Sequence, residues 1–467
     1  MKEGRSRYTG RMALQWLIYL GVLFMMFIRA GADNPAQAND LLGVYRQAVE
    51  INPVLKEAKA LLNSDQASHE LARSALMPRI NASADIYRDH THITGFGKDF
   101  GASSPAASAF GDITDTYTGG SYSVSLSQPL VDGQAWAGLR SASARVRAGE
   151  AAVKAAEQDL IRQITEAYFG VLKARADERV ALGQKALLQE ILDQARANLN
   201  VGSGDIISLK EAQASFDTAE SRFITSRNAV EIAVQQLRRL TQQDPGPLDD
   251  VGPITALGPV PDQVEPWILT AEANQPLLEQ AREEQKAAAD QVDIARRARW
   301  PELSLSAGYG YNKGNFMPSV ETQNRRIGLV CNLPFYEGGR ISAQIAQARA
   351  REAASHYRME DLKDRIALNT RNAFLTLKNS VSGFNAAGQA LDSAKTSLEA
   401  TRKGYEIGAR SIIDLLTSAQ AYENIQRDYY QALYDHVLAR VRLKWATGVI
   451  NEADITAINE LLCAPAE

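Results

Sequence analysis

The sixteen prolines leave two long segments of the chain without this residue. Residues 130–244 and 335–464 contain none, whereas seven prolines crowd residues 245–276. A proline inside a helix costs about 3 kcal/mol, because it removes a hydrogen bond and clashes with the preceding turn. The proline-free segments are also rich in Ala, Leu, Gln, Glu, Lys and Arg, which favour helix. They predict helices at about 134–200, 204–243, 340–407 and 411–447.

Two of these predicted helices, 134–200 and 340–407, are long enough to constrain the architecture. At 1.5 Å per residue each would extend about 100 Å, whereas a typical globular helix has three to four turns. Helices of this length are typical of coiled coils and helical tubes. The alternative is a series of ordinary helices joined by short loops, with breaks at Gly170, Gly183 and Gly388.

Four shorter segments alternate apolar with polar residues. In the first, Ile80 and Ile86 alternate with Ser83 and Asp85. This period of two predicts strands with one apolar and one polar face. Their length suits a tilted membrane strand, and small polar residues opposite apolar ones suit a water-filled lumen facing lipid. The predicted strands are about 79–89, 121–130, 302–312 and 325–334; a soluble amphipathic sheet is the alternative.

Aromatic residues flank the predicted strands, as they do in the interfacial belts of membrane proteins. Trp136, Trp300, Phe335 and Tyr336 lie at one end, and Tyr87, Tyr122, Tyr309 and Tyr311 at the other. Residues 90–121 are rich in Gly, Ala, Ser and Thr, which predicts a long external loop.

The two halves of the chain are a repeat. Residues 78–84 match 301–307, and residues 201–209 match 407–415, with Gly202 aligned to Gly408. This self-similarity predicts a first repeat at 39–243 and a second at 276–447. A proline-rich linker at 244–275 joins them, and a C-terminal tail at 448–467 follows.

Four strands per chain are too few to close a membrane barrel. About eight strands are needed for a filled barrel and more for an aqueous channel. Open sheet edges in lipid would leave backbone groups unsatisfied. The chain is therefore expected to assemble from several copies.

The N-terminus predicts a secretory signal peptide over residues 1–38. Lys2, Arg5, Arg7 and Arg11 precede an apolar run, and small-residue cleavage sites end at Ala32 and Ala38. The apolar run is short for a spanning helix, which needs about 20 residues. An uncleaved N-terminal anchor is the alternative.

Composition excludes several classes of protein. The net charge of −4 argues against a nucleic-acid binder, which should carry a basic excess. Two cysteines, Cys331 and Cys463, cannot build a disulfide framework, and no Cys/His cluster has zinc-ligand spacing. His90 and His92 have a spacing that could chelate a metal, but on a polar loop they are expected to be solvated. No catalytic motif is present, so we expect neither an enzyme nor a cofactor.

The order of these elements resembles the TolC-type outer-membrane efflux proteins over essentially the whole chain. Residues 40–48, followed by Asn52-Pro53, resemble that family's opening helix. Residues 200–206 and 405–416 resemble its two helix-tip motifs. The resemblance implies a mostly helical fold with a membrane β part. It also implies a homotrimer, in which a twelve-strand β-barrel in the outer membrane continues into a twelve-helix periplasmic α-barrel.

The resemblance also implies a closed periplasmic aperture at the helix tips. Its gate residues would be Tyr405 and Arg410, which form a lock, and Asp414, which forms an acidic ring in the lumen. This chain departs from the family twice. Where the family has a second acidic residue, this chain has Thr417. Where the family has an aspartate on the first tip as the partner of the lock, this chain has Ser208.

The function that the resemblance implies is an outer-membrane export duct with a periplasmic extension. Its partners would be outer-membrane lipid, a periplasmic adaptor and an inner-membrane ABC or RND transporter, with type I protein secretion as one form of this role. The adaptor would dock at Val201, Gly202, Ile407 and Gly408. The alternatives are a structural coiled-coil envelope protein without a pore and a periplasmic enzyme.

Overall fold

The computed structural model describes residues 40–93, 113–252, 254–314 and 320–463. The predicted signal peptide lies outside the described residues, and so does most of the predicted external loop. None of the helices within the described ranges is both long and apolar enough to cross a bilayer.

Two very long helices dominate the chain. Helix α3 (Gly133–Asn200) has 68 residues and α7 (Arg340–Glu406) has 67. Both are continuous, so the alternative of short helices with breaks at Gly170, Gly183 and Gly388 is wrong. The shorter helices are α1 (Leu41–Ile51), α2 (Pro53–Ser74), α4 (Ile206–Thr241), α5 (Val264–Asn274), α6 (Pro276–Arg297), α8 (Ile412–Ala446) and α9 (Glu452–Asn459).

The main sheet consists of strands β1 (Arg79–Ile93), β2 (Ile113–Val131), β4 (Glu302–Gly314) and β5 (Val320–Asn332). It is antiparallel, and the strands lie side by side in the order β1-β2-β4-β5. The predicted loop at 90–121 was too long, because backbone pairing between β1 and β2 continues to Ile93 and Ile113. Alternation of side chains marks only the part of a strand that has contrasting faces, so it underestimates strand length.

The strand register produces one continuous apolar face. Ile80 lies opposite Leu126, which lies opposite Ala307, which lies opposite Ile327. The other face carries small polar groups, and the hydroxyl oxygens of Ser83 and Ser123 are 2.8 Å apart. Ile80 and Ile327 are 71% and 76% exposed, so within one protomer the apolar face has no cover.

The helices that adjoin the sheet lie side by side in the same order as the strands to which they connect. Above the middle of the molecule α3 packs against α2 and α6, and α6 packs against α7. Below it, α3 pairs with α4 and α7 pairs with α8, which gives two helical hairpins. We call α3–α4 the first hairpin and α7–α8 the second hairpin.

The predicted linker at 244–275 and the described part of the predicted tail at 448–463 both contain regular elements. The linker contains α5 and the two-residue strand β3 (Asp250–Val251). The tail contains α9 and strand β6 (Leu462–Cys463), which pairs with β3. Strands β3 and β6 form because the linker and the tail meet in space. A strand of two residues is too short to show a periodic pattern in the sequence.

A buried core at the middle of the molecule holds the linker against the long helices. The ring of Phe169 on α3 packs against that of Tyr434 on α8, with centroids 6.1 Å apart. The Tyr434 hydroxyl donates to Asp250 Oδ1 at 2.8 Å, and Arg179 Nη2 lies 2.6 Å from Asp250 Oδ2. Burial, followed by the nearby charge of Asp250, raises the pKa of Tyr434, so the phenol remains a neutral donor.

Candidate aperture at the helix tips

Each helical hairpin ends in a five-residue turn that the sequence determines locally. The first tip is residues 201–205 and the second tip is residues 407–411. Gly202 has φ +76° and Gly408 has φ +74°, a conformation that glycine adopts without steric cost. The Gly202 N–H donates to Leu199 O and the Gly408 N–H donates to Tyr405 O, which satisfies carbonyls at the two helix ends.

The two tips begin their second helices with the same pair of residue types in exchanged places. In the first tip, Asp205 is the N-cap and accepts from the Ser208 N–H at 2.8 Å and from the Ser208 hydroxyl at 2.7 Å. In the second tip, Ser411 is the N-cap and accepts from the Asp414 N–H at 3.2 Å. Asp414 in turn accepts from the Ser411 N–H at 3.1 Å, which completes a capping box.

The Asp414 carboxylate is exposed and held in its ionised form. Hydrogen bonds from the Ser411 backbone and hydroxyl, together with the nearby charge of Arg410, lower its pKa from the usual aspartate value. Thr417 is also exposed and lies one turn further along α8. Both residues lie away from the buried stripe of Ile412, Leu415 and Ala419.

In the described part of the chain, no hydrogen bond or ion pair joins the other predicted gate residues to Asp414. Tyr405 lies in the last turn of α7, half-buried against the apolar core of the tips. Arg410 is exposed, and its side chain lies over Gly404. The backbone N–H and the hydroxyl of Ser208 both donate to the Asp205 carboxylate. No hydrogen bond in the described residues joins Ser208 to Tyr405 or Arg410.

Sequence reasoning missed the ion pairs that join the two hairpins, which include Arg442 on α8 with Glu166 on α3 and two further pairs. Arg402 Nη2 on α7 lies 2.5 Å from Glu190 Oε1 on α3, and both side chains are exposed. Arg222 Nη1 on α4 lies 3.0 Å from Glu423 Oε2 on α8, and the Glu423 side chain is only 4% exposed. Charged residues are frequent along all four helices, so no local pattern marks these pairs.

The two tips expose apolar side chains. Val201 and Ile407 occupy equivalent places in the two turns and are 77% and 80% exposed. Ile207 and Ile413, in the first turns of α4 and α8, are also exposed. We call these four residues the apolar tip patch.

The remaining sequence candidates lie far from the tips. His90 and His92 lie on β1, so the prediction that they lie on a loop is wrong, but both side chains are exposed, as expected. Cys331 is exposed on the apolar sheet face, as expected, and the Cys463 side chain lies outside the described residues. No group of three or more His, Cys, Asp or Glu side chains in the described ranges could hold a metal ion.

Comparison with known proteins gives a consistent result over nearly the whole chain. The sequence profile of the outer membrane efflux protein family matches residues 44–242 and 267–449. The chain is 29% identical over 450 residues to the outer membrane protein TolC of Escherichia coli, covering 93% of this chain and 87% of that protein. It is 28% identical to the alkaline protease secretion protein AprF of Pseudomonas aeruginosa, covering 96% of this chain and 91% of that protein.

The fold is also that of a solved outer-membrane channel. The CmeC channel of Campylobacter jejuni superposes with a TM-score of 0.76 at 20% identity, covering 90% of this chain and 89% of that chain. At this identity the likeness is one of fold alone. Together with the matched profile, which falls into two parts as the repeat does, it confirms the resemblance inferred from the sequence: the chain belongs to the outer membrane efflux protein family.

Proposed function

We propose that three copies of this chain close into a duct whose periplasmic end is gated at the helix tips. The observation that supports closure is that both edges of the layer are open within one protomer. Strands β1 and β5 end the sheet, and no further strand pairs with them in the described part of the chain. A ring of copies joins each β5 to the next β1, which satisfies both edges at once.

The edge helices support the same arrangement. Leu61 and Leu71 on α2, and Tyr357 and Leu368 on α7, are at least half exposed. Isolated apolar residues on a surface need no explanation, but rows of them on both outer helices of a layer suit helix packing between copies. Three copies give twelve strands, which closes the β-barrel, and twelve helices, which close the α-barrel.

The chain is an outer-membrane export protein by family, and its place is the cell outer membrane. We propose that it works with a periplasmic adaptor, which docks on the apolar tip patch around Gly202 and Gly408. An inner-membrane ABC or RND transporter supplies the energy, because the duct carries no catalytic motif. The name of AprF refers to protease secretion, and the names of other relatives refer to efflux, so we propose a general export role that includes type I protein secretion.

The gate is tested by neutralising Asp414. Three copies of this carboxylate around one axis would attract divalent cations, so Asp414→Asn should weaken divalent-cation block of conductance about tenfold, equivalent to about 1.4 kcal/mol. Asparagine can still accept the bond from Ser411, so the start of α8 is preserved. The measurement is single-channel conductance in planar bilayers. Asp205→Asn is the matched control, because it removes the same charge from the first tip. Equal block in wild type and Asp414→Asn would contradict the acidic ring.

The ion pair between Arg402 and Glu190 is expected to stabilise the closed aperture. Exposed pairs contribute about 0.5 kcal/mol each, and three copies act together. Arg402→Ala should therefore raise the open population about tenfold, seen as a higher mean conductance. The charge-reversed double variant Glu190→Arg/Arg402→Glu should restore closure. Arg196→Ala is the control, since in the described part of the chain Arg196 bonds only within the first hairpin. If the double variant conducts like Arg402→Ala, the pair does not hold the aperture.

A further inference from the structure

The β1–β2 hairpin continues beyond the sheet that it shares with β4. Strand β2 pairs with β4 as far as Gly119, opposite Gly314, whereas β1 and β2 stay paired to Ile93 and Ile113. In the described residues this leaves a two-stranded projection at the end of the sheet away from the helices. We call it the outer ribbon, residues 88–93 with 113–118.

Two histidines lie on one face of the outer ribbon. His90 and His92 are two residues apart on β1, so their side chains point to the same side, with Cα atoms about 7 Å apart. Both are exposed. They continue the row that contains Ile80 and Ile86, so they face away from the polar surface of Ser83.

Both imidazole rings are oriented by the same contact. His90 Nδ1 lies 2.7 Å from the Thr116 hydroxyl oxygen, and His92 Nδ1 lies 2.5 Å from the Thr114 hydroxyl oxygen. These threonines are the partners directly opposite on β2. When Nδ1–H donates to threonine, the lone pair of the neutral ring is on Nε2. Metal-binding histidines in proteins are prepared in this way by a bond at the other ring nitrogen.

The surroundings decide which ions this pair can take. Asp89, the neighbouring carboxylate, lies on the opposite face and accepts from the hydroxyls of Tyr117 and Thr91, both at 3.2 Å. The face of the histidines carries Arg88 and threonines rather than carboxylates. Hard cations such as Ca²⁺ and Mg²⁺ need oxygen ligands, whereas imidazole suits Cu²⁺, Ni²⁺ and Zn²⁺.

We propose that His90 and His92 chelate one divalent transition-metal ion through their Nε2 atoms, with water in the remaining positions. Metal–nitrogen bonds of about 2.0–2.1 Å bring the two Nε2 atoms to about 3 Å from each other. The two rings must therefore lean toward each other from a Cα spacing of about 7 Å, which rotation of exposed side chains allows. The bound ion links successive positions of β1 and stiffens the outer ribbon.

The test measures binding of Cu²⁺ and Ni²⁺, each added alone, to the purified full chain in detergent micelles. Titration calorimetry should give one tight ion per chain, and electron paramagnetic resonance of bound Cu²⁺ should show coupling to two nitrogens. His90→Gln or His92→Gln should weaken binding about 100-fold, because a second linked ligand raises affinity by that order. Thr114→Val with Thr116→Val should weaken it about 10-fold while leaving both ligands in place.

His69→Ala is the matched control, since His69 lies on α2, far from the outer ribbon. It should leave the tight ion unchanged. Loss of the tight ion in His69→Ala, or equal binding by wild type and the His90→Gln/His92→Gln double variant, would overturn the site. Glutamine keeps size and polarity, and retained conductance of the double variant in planar bilayers shows that the duct is intact. The metal site and the export role can therefore fail independently.

Discussion

Replacing Arg222 by alanine should lower the free energy of unfolding by about 3 kcal/mol. Among the described residues, the change leaves the Glu423 carboxylate, which is 4% exposed, with Gln420 Nε2 at 2.8 Å as its one side-chain partner. Breaking a buried pair costs about 3–5 kcal/mol because the remaining charge is uncompensated. We expect the low end of that range, since the Arg222 side chain is itself 43% exposed. Denaturant unfolding followed by far-UV circular dichroism measures the effect.

Arg227 provides the matched control for this prediction. It is an arginine on the same helix, exposed and without an ion-pair partner in the described residues. Arg227→Ala should change stability by less than about 0.5 kcal/mol. The double variant Arg222→Met/Glu423→Leu removes both charges and should recover most of the loss. If Arg222→Ala and Arg227→Ala unfold at the same denaturant concentration, the pair contributes nothing to the joining of the hairpins.

Gly448→Ala should be the most damaging glycine substitution outside the membrane region. Gly448 follows α8 with φ +71°, and an added Cβ would lie 2.6 Å from Gln275 Cα and 2.7 Å from Asn274 O. Those atoms are backbone and cannot rotate away. The left-handed conformation costs alanine about 1–2 kcal/mol, and overpacking adds about 1–3 kcal/mol. We therefore expect a loss of roughly 2–5 kcal/mol.

The consequence of this substitution reaches three segments, because they meet at Gly448. Gln275 Nε2 donates to Trp445 O and Ala446 O at the end of α8, and Gln158 Nε2 on α3 donates to Gly448 O at 2.7 Å. Gly408→Ala separates the cost of the left-handed backbone from the cost of overpacking. Gly408 has φ +74° but no atom within 4 Å of an added Cβ. It should lose only the conformational part. Thermal unfolding of the two variants side by side measures the difference, and equal losses would show that the contact with Gln275 is relieved by a small shift.

The long helices and the faces of the strands were predictable because each depends on local or periodic properties. The absence of proline permits helices that continue through Gly170 and Gly388. The alternation of apolar and polar residues along β1 determines which face of the strand is apolar. The tip turns were equally predictable, since Gly202 and Gly408 supply a backbone conformation that the local sequence alone requires. Asp414 was found as a candidate by its motif, but its bond to Ser411 came from the structure.

The residues that join the hairpins could not be predicted. Glu190 and Arg402 are 212 residues apart in sequence, and Arg222 and Glu423 are 201 apart. Long amphipathic helices carry many acids and bases of equal local character, so only the register of one hairpin against the other selects a pair. The linker strand β3 and the tail strand β6 could not be predicted for a similar reason. Two residues are too few to show an alternating pattern, so only the tertiary structure brings these strands together.

The sequence by itself determined the elements of this protein: two proline-free arms, four alternating strands, two glycine turns and their repetition. These follow from backbone sterics and side-chain periodicity, which act within a few residues. The tertiary structure alone decided which charges pair between the hairpins, and that the linker and the tail meet beside Tyr434. Those outcomes depend on distances between segments hundreds of residues apart, and only packing of the helical layer sets such distances.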